Sequence, residues 1–160
     1  MELDLSLARQ ELQLLGGRGE TLSVYRVSTA ANGPGERNGS ECTPRGAHRV
    51  RAKIGAGLPV NTVFRGRRPT GEIYGPALRR RYPDRDWILT RILWLSGLEP
   101  GFNRLGEVDT MRRFIYIHGA PDDDPMGVPS SHGCVKMRNS DVLELFDRIP
   151  PGTPVNIREA

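Results

Sequence analysis

The stretch Phe114-Ile115-Tyr116-Ile117-His118-Gly119, followed after a loop by Ser130-Ser131-His132-Gly133-Cys134-Val135, decides how this chain reads. The first part is a dense apolar run that predicts a buried strand ending in a histidine. Sixteen positions beyond His118 comes a cysteine, with a second histidine two residues before it. Thiol acyl transfer needs these parts: a thiolate nucleophile, an imidazole to take its proton, and backbone amides to hold an oxyanion. Gly133 lets the chain turn sharply before Cys134 and leaves room for an incoming carbonyl.

Outward from that stretch, apolar residues recur with a period of two. Leu3, Leu5 and Leu7 alternate with polar residues, Leu12, Leu14 and Leu15 follow, and Leu22, Val24 and Val27 punctuate a third run. These predict strands in a meander, as do Val50, Ala52 and Ile54, and a short closing strand at Val155 and Ile157. Residues 32–46 are rich in Gly, Pro, Ser and Asn and predict a loop. The segment from Trp87 to Leu95 is apolar enough for a buried strand or a short helix, and periodicity does not choose between them. One helix is clear: Val142, Leu145, Phe146 and Ile149 fall on one stripe, Asn139 or Ser140 can cap its start, and Pro150-Pro151-Gly152 stops it. The expected fold is mainly β, a sandwich or partly closed barrel, with one packed helix after Cys134. At 160 residues the chain suits a single domain spanning 1–160.

A net charge of +4 is mild for this length, and no aromatic residues alternate with the basic ones, so no nucleic-acid partner is expected. The arginines are nevertheless concentrated. Arg65, Arg67, Arg68, Arg79, Arg80, Arg81, Arg85 and Arg91 face only Glu72, Asp84 and Asp86 in the same stretch, a field that favours an acidic small substrate. The first twenty residues carry no basic, apolar and small-residue pattern of a secretory signal, and no run is long and apolar enough to span a membrane. With an opening Met, and with two cysteines that an oxidising compartment would put at risk of pairing, the expectation is a cytoplasmic bacterial protein, periplasmic only if an export signal lies outside the given sequence. Cys42, in the polar loop, is expected to be a bystander.

The motif residues resemble the L,D-transpeptidase family with a YkuD-type catalytic domain. In that family an upstream His-Gly or His-Ser and a loop of a dozen or more residues precede Ser/Thr-His-Gly-Cys and an aliphatic residue. Here these are His118-Gly119, twelve residues from Gly119 to Ser130, and Ser131-His132-Gly133-Cys134-Val135. Ser28-Thr29, Thr43-Pro44-Arg45-Gly46 and Asn139 before a helix sit where the family has comparable features, so the resemblance covers nearly the whole chain. It favours strand for residues 87–95. One departure stands out: many members carry arginine or asparagine two positions after the cysteine, and this chain has Lys136, which keeps the charge but not the bidentate fork.

The resemblance implies Cys134 as nucleophile and His118 as general base, its second nitrogen fixed on the Gly119 carbonyl. It implies His132 in the pocket wall and the amides of Gly133 and Cys134 at the oxyanion. Ser131 is expected to brace the turn. With Lys136, Arg138, Asn139 and Tyr116 it completes the residues expected on the substrate side. The acidic run Asp122-Asp123-Asp124 predicts a solvated loop tip over the site.

The implied substrate is a peptidoglycan stem tetrapeptide or muropeptide, cleaved between the diamino acid and the terminal D-alanine through a thioester. Water as acceptor makes an L,D-carboxypeptidase of cell-wall recycling; an amine makes 3-3 cross-links or exchanges D-amino acids. Two other classes compete: a stem-peptide-binding module without turnover, and a cysteine hydrolase of ordinary L-peptides. No cofactor is expected. A metal is disfavoured because Cys42, His48, His118, His132 and Cys134 lack paired ligand spacing.

Overall fold

A computed structural model describes all residues, 1–160. In chain order the elements are β1 (Glu2–Ser6), β2 (Glu11–Leu15), β3 (Thr21–Ser28), β4 (Gly46–Ile54), β5 (Thr62–Arg65), β6 (Arg68–Ile73), α1 (Pro76–Arg81), β7 (Ile88–Gly97), β8 (Tyr116–Ala120), β9 (Val135–Arg138), α2 (Asn139–Arg148) and β10 (Pro154–Arg158). Eight strands run in the order β4-β10-β1-β2-β3-β9-β8-β7, and pairing of β4 with β7 closes them into a barrel. The β5–β6 hairpin hangs outside on the edge of β7. Closure removes the exposed sheet edges that a sandwich would leave, so of the two expected architectures the barrel is the one adopted.

The alternation legible in the sequence fills this barrel. Leu3, Leu5, Leu12, Leu14, Val27, Val50, Leu93, Leu95, Ile117, Val135, Met137, Val155 and Ile157 share one cluster with Val142, Leu145, Phe146 and Ile149 of the α2 stripe. That stripe packs α2 against β7, β8 and β9. Each fully buried aliphatic side chain contributes about 1.5–3 kcal/mol, and truncating Leu145 to Ala would cost about 2–5 kcal/mol. The other helix, α1, buries no residue and lays Leu78 against a small outer cluster of Val63, Trp87 and Leu89, so α2 is the one helix in the main core.

Three local expectations change, and the strand favoured for residues 87–95 is found. Leu22 and Val24 are exposed, because β3 turns its odd-numbered face inward with Tyr25 and Val27; a period of two cannot put 22, 24 and 27 on one side. The 88–97 segment is one long strand. Phe114 lies outside β8, exposed and with φ of 57°, so the strand starts two residues later and carries His118 at its centre. Helix α2 has Arg138 at its N-cap without a side-chain cap; the Asn139 side chain is engaged elsewhere. The β5–β6 hairpin and α1 lacked any hydrophobic periodicity to announce them.

Candidate active site

Strands β8 and β9 run parallel, pairing Ile117 with Val135 and His118 with Lys136. The side-chain alternation then separates two faces. Ile117, Val135 and Met137 point into the barrel core, whereas Tyr116 and Cys134 belong to a second apolar cluster with Phe64 and Ile92, flanked by Trp94. Cys134 lies just before β9, so its sulfur falls beside the first residue of β8. The Tyr116 amide donates to Cys134 Sγ at 3.2 Å, and the thiol donates to the Phe114 carbonyl at 3.4 Å.

The turn that presents Cys134 is braced from two sides. Ser131 Oγ donates to the Cys134 carbonyl at 2.6 Å and accepts the Gly133 amide at 3.2 Å. Gly133 has φ of 127°, and a Cβ there would stand 3.1 Å from the Cys42 carbonyl, so both conformation and space call for glycine. Thr43 Oγ1 donates to the Gly133 carbonyl at 2.9 Å and accepts the Ala30 amide at 3.0 Å. Arg113 donates to the carbonyls of Cys42 at 2.7 Å and Gly35 at 3.2 Å. The 32–46 loop is therefore a bracket beneath Cys134. Cys42 serves it through its backbone, and its thiol is free.

His118 is buried, and its Nδ1 lies 2.7 Å from the Gly119 carbonyl. A carbonyl only accepts, so Nδ1 carries the proton and neutral His118 leaves the Nε2 lone pair open, with no hydrogen bond inside the protein. Burial holds the imidazole pKa below its usual value, opposed by the Gly119 carbonyl and the Asp86 charge; Lys136 lowers it further. Gly119 is glycine for want of room: a Cβ would sit 2.4 Å from Asn139 Oδ1 and 2.6 Å from the Leu89 carbonyl.

The Cys134 thiol is pushed up to about 12 by burial, aided by the Asp86 carboxylate and opposed by the Tyr116 amide and the Arg113 charge. It rests as a thiol, so attack requires a base to take the proton. The Cys134 amide makes no hydrogen bond within the protein, which leaves it as a donor for a developing oxyanion. The Gly133 amide, expected to share that task, is occupied by Ser131.

The remaining predicted site residues are spread around this centre. His132 is exposed, its Nδ1 3.8 Å from Asp86. Asp86 lines a groove of about 570 Å³ with Val63, Phe64, Thr70, Arg85 and Ile88. Lys136 lies 3.8 Å from Asp124, a half-buried carboxylate that also holds Arg79 at 3.2 Å, while Asp122 and Asp123 are exposed as expected of a solvated tip. Asn139 is buried; its Oδ1 accepts from Thr90 Oγ1 at 2.5 Å, and its amide donates to Asn61 at 2.9 Å and Asp122 at 3.2 Å. Arg138 is exposed at the mouth of a separate cavity lined by Val60, Asp122 and Leu143. Tyr116 is buried, its hydroxyl accepting from Arg67 at 3.1 Å. Sequence reasoning passed over Asp86 and Thr43 as site residues, and Arg113 gave no signal at all, because its role depends on a loop seventy residues away in the chain.

Comparison with known proteins bears on the family and the fold. The family model described as the L,D-transpeptidase catalytic domain matches residues 2–157. Among curated proteins, the chain is 39% identical over 59 residues to the putative L,D-transpeptidase YqjB of Bacillus subtilis, covering 37% of this chain and 32% of that protein. It is 44% identical over 43 residues to the probable L,D-transpeptidase YbiS of Escherichia coli, covering 27% of this chain and 14% of that one. Solved structures align over far more. An L,D-transpeptidase from Mycobacterium smegmatis superposes with a TM-score of 0.55 at 19% identity over 98% of this chain and 57% of its own. L,D-transpeptidase LdtMt1 in complex with imipenem gives 0.58 at 17% identity, again over 98% of this chain and 57% of its own. The structural likenesses show the fold, and the chain spans less than two thirds of each of these four proteins.

Proposed function

The chain belongs to the L,D-transpeptidase family of YkuD-type catalytic domains, and on that premise we propose that it is a cysteine acyltransferase acting on peptidoglycan stem tetrapeptides, with water as its usual acceptor. The observation that carries the reading is His118, fixed by Gly119 with Nε2 open, on the strand whose first amide holds the Cys134 sulfur. In the reaction His118 Nε2 takes the thiol proton as Sγ attacks the carbonyl of the diamino acid. Charge gathers on the carbonyl oxygen and is met by the Cys134 amide. The tetrahedral adduct collapses, the C–N bond breaks, and the proton on His118 passes to the departing amine of D-alanine. Water, deprotonated by the same imidazole, then cleaves the thioester to leave a tripeptide carboxylate and the free thiol.

An amine from a second stem would give a 3-3 cross-link by the same first half. What supports hydrolysis is that soluble muropeptides present few concentrated amines while water is always at hand. Two free thiols in one small fold fit a reducing compartment, and we place the protein in the bacterial cytoplasm, trimming recycled tetrapeptides. Incubating the protein with disaccharide-tetrapeptide and weighing the products tests the reading. Tripeptide with free D-alanine is the expected outcome. Predominant 3-3 linked dimers would transfer the assignment to cross-linking, and native protein recovered outside the cytoplasm in fractionated cells would refute the location.

A further inference from the structure

The cations around Cys134 differ in what already holds them. Lys136 and Arg79 share Asp124, and Arg85 is paired with Glu72 at 2.8 Å. Arg113 spends its guanidinium on the backbone carbonyls of the loop beneath the turn. Arg67 is the exception. It occupies the two-residue turn of the β5–β6 hairpin, is half-buried, and has no ion-pair partner.

It is nonetheless held in place. Its guanidinium carbon stands 4.1 Å from the Trp94 ring centroid and 5.2 Å from that of Phe114, and one nitrogen donates to Tyr116 Oη at 3.1 Å. Trp94 pairs with Tyr116 across β7 and β8, and their rings meet edge to face. Stacking fixes the plane of a guanidinium while leaving donors along its edge unspent. Two of the three residues that position this cation also touch Cys134: the Tyr116 amide and the Phe114 carbonyl are the two hydrogen-bond partners of Cys134 Sγ.

We propose that Arg67 is a carboxylate-binding residue that reads the free C-terminal carboxylate of the donor peptide, and so restricts the enzyme to peptides ending one residue beyond the scissile bond. The assignment rests on the acyl-transfer reading above and holds for either acceptor. With the scissile carbonyl over Sγ, the terminal carboxylate lies about one residue further along, at about 3.5 Å of chain per residue. The amide of Tyr116 holds Sγ and its hydroxyl meets Arg67, so one tyrosine links the nucleophile to the cation. A guanidinium fork suits a carboxylate and offers nothing comparable to an amide. A peptide prolonged by a further residue would carry its charge past the aromatic clamp.

The test separates recognition from turnover by using the Cys134→Ala protein. Binding of a stem tetrapeptide with a C-terminal carboxylate, and of the same peptide as a C-terminal carboxamide, is measured by calorimetry with Arg67 intact, with Arg67→Gln, with Arg67→Lys and with Arg65→Gln. The acid is expected to bind roughly tenfold to a hundredfold tighter than the amide when Arg67 is present. The preference should vanish in Arg67→Gln, persist in reduced form in Arg67→Lys, and stay whole in Arg65→Gln. Equal binding of acid and amide, binding of neither, or a preference that survives Arg67→Gln overturns the proposal. Should Arg67→Gln fail to fold, the acid-to-amide ratio of the intact and Arg67→Lys proteins decides in the same way. An acid preference that depends on Arg67, in a protein whose Cys134 form releases no D-alanine with water or an amine as acceptor, would leave this assignment standing and refute the reaction.

Discussion

The amide of Tyr116 donates to the sulfur of Cys134 at 3.2 Å, so the first residue of the strand that carries His118, the proposed general base, also holds the proposed nucleophile. One strand thus fixes both reacting groups, and the site is as rigid as the β7–β8–β9 ladder. One amide is not enough to make a thiolate. Burial outweighs it and keeps the thiol pushed up to about 12. Alkylation of resting Cys134 by iodoacetamide, followed on the Cys134-bearing peptide by mass spectrometry, should therefore keep accelerating as pH rises beyond 10. A rate that levels off below pH 8 would mean a thiolate already formed at rest.

His118 sits between two opposed charges: Lys136 lowers its pKa and Asp86 raises it. His118 must be neutral to act as base, so its pKa sets the acid limb of kcat/KM. Lys136→Met removes a cation that disfavours imidazolium, which should move that limb to higher pH. Asp86→Asn should move it the other way. Shifts of the same sign in both variants would refute the electrostatic account.

Thr43 ties the loop to the turn through two buried hydrogen bonds. Thr43→Val keeps the shape and strands the Ala30 amide and the Gly133 carbonyl, at a cost of about 1–3 kcal/mol of stability. Turnover should fall with it, as the Gly133–Cys134 turn loosens. Cys42→Ser, which alters a side chain outside the clamp, should change neither. Urea denaturation and steady-state rates on both variants check this.

His48 is buried between the Gly46 carbonyl and Thr110 Oγ1, and burial lowers its pKa from 6.5 to about 4. The unfolded chain binds a proton in that interval and the folded chain does not. Stability is therefore full above pH 6.5 and is lost as pH falls towards 4, by up to about 3 kcal/mol from this group. The melting temperature of His48→Gln should depend less on pH over that window than that of the unaltered protein; an equal slope would assign the loss to other groups.

The barrel strands and α2 were legible because each buries one face, and a period of two or a spaced apolar stripe survives in any sequence that does so. The β5–β6 hairpin was not, since Arg68, Pro69, Thr70 and Gly71 bury nothing and leave no pattern. The same holds within the site. Cys134, His118 and Gly119 cluster around a local motif, and chemistry alone draws attention to them. Thr43 and Arg113 act on residues ninety and seventy-one positions away, through backbone carbonyls that every residue possesses. Arg67 was visible as one of a run of arginines, but the stacking that singles it out exists only once β7 and β8 are paired.

The central claim is a thioester on Cys134 formed by loss of D-alanine. Acid-quenched protein, taken during turnover of disaccharide-tetrapeptide and weighed intact, should carry an adduct equal to the donor less D-alanine, located on the Cys134 peptide and missing from Cys134→Ala. Release of D-alanine without that adduct, at a rate unchanged in Cys134→Ala, would contradict it.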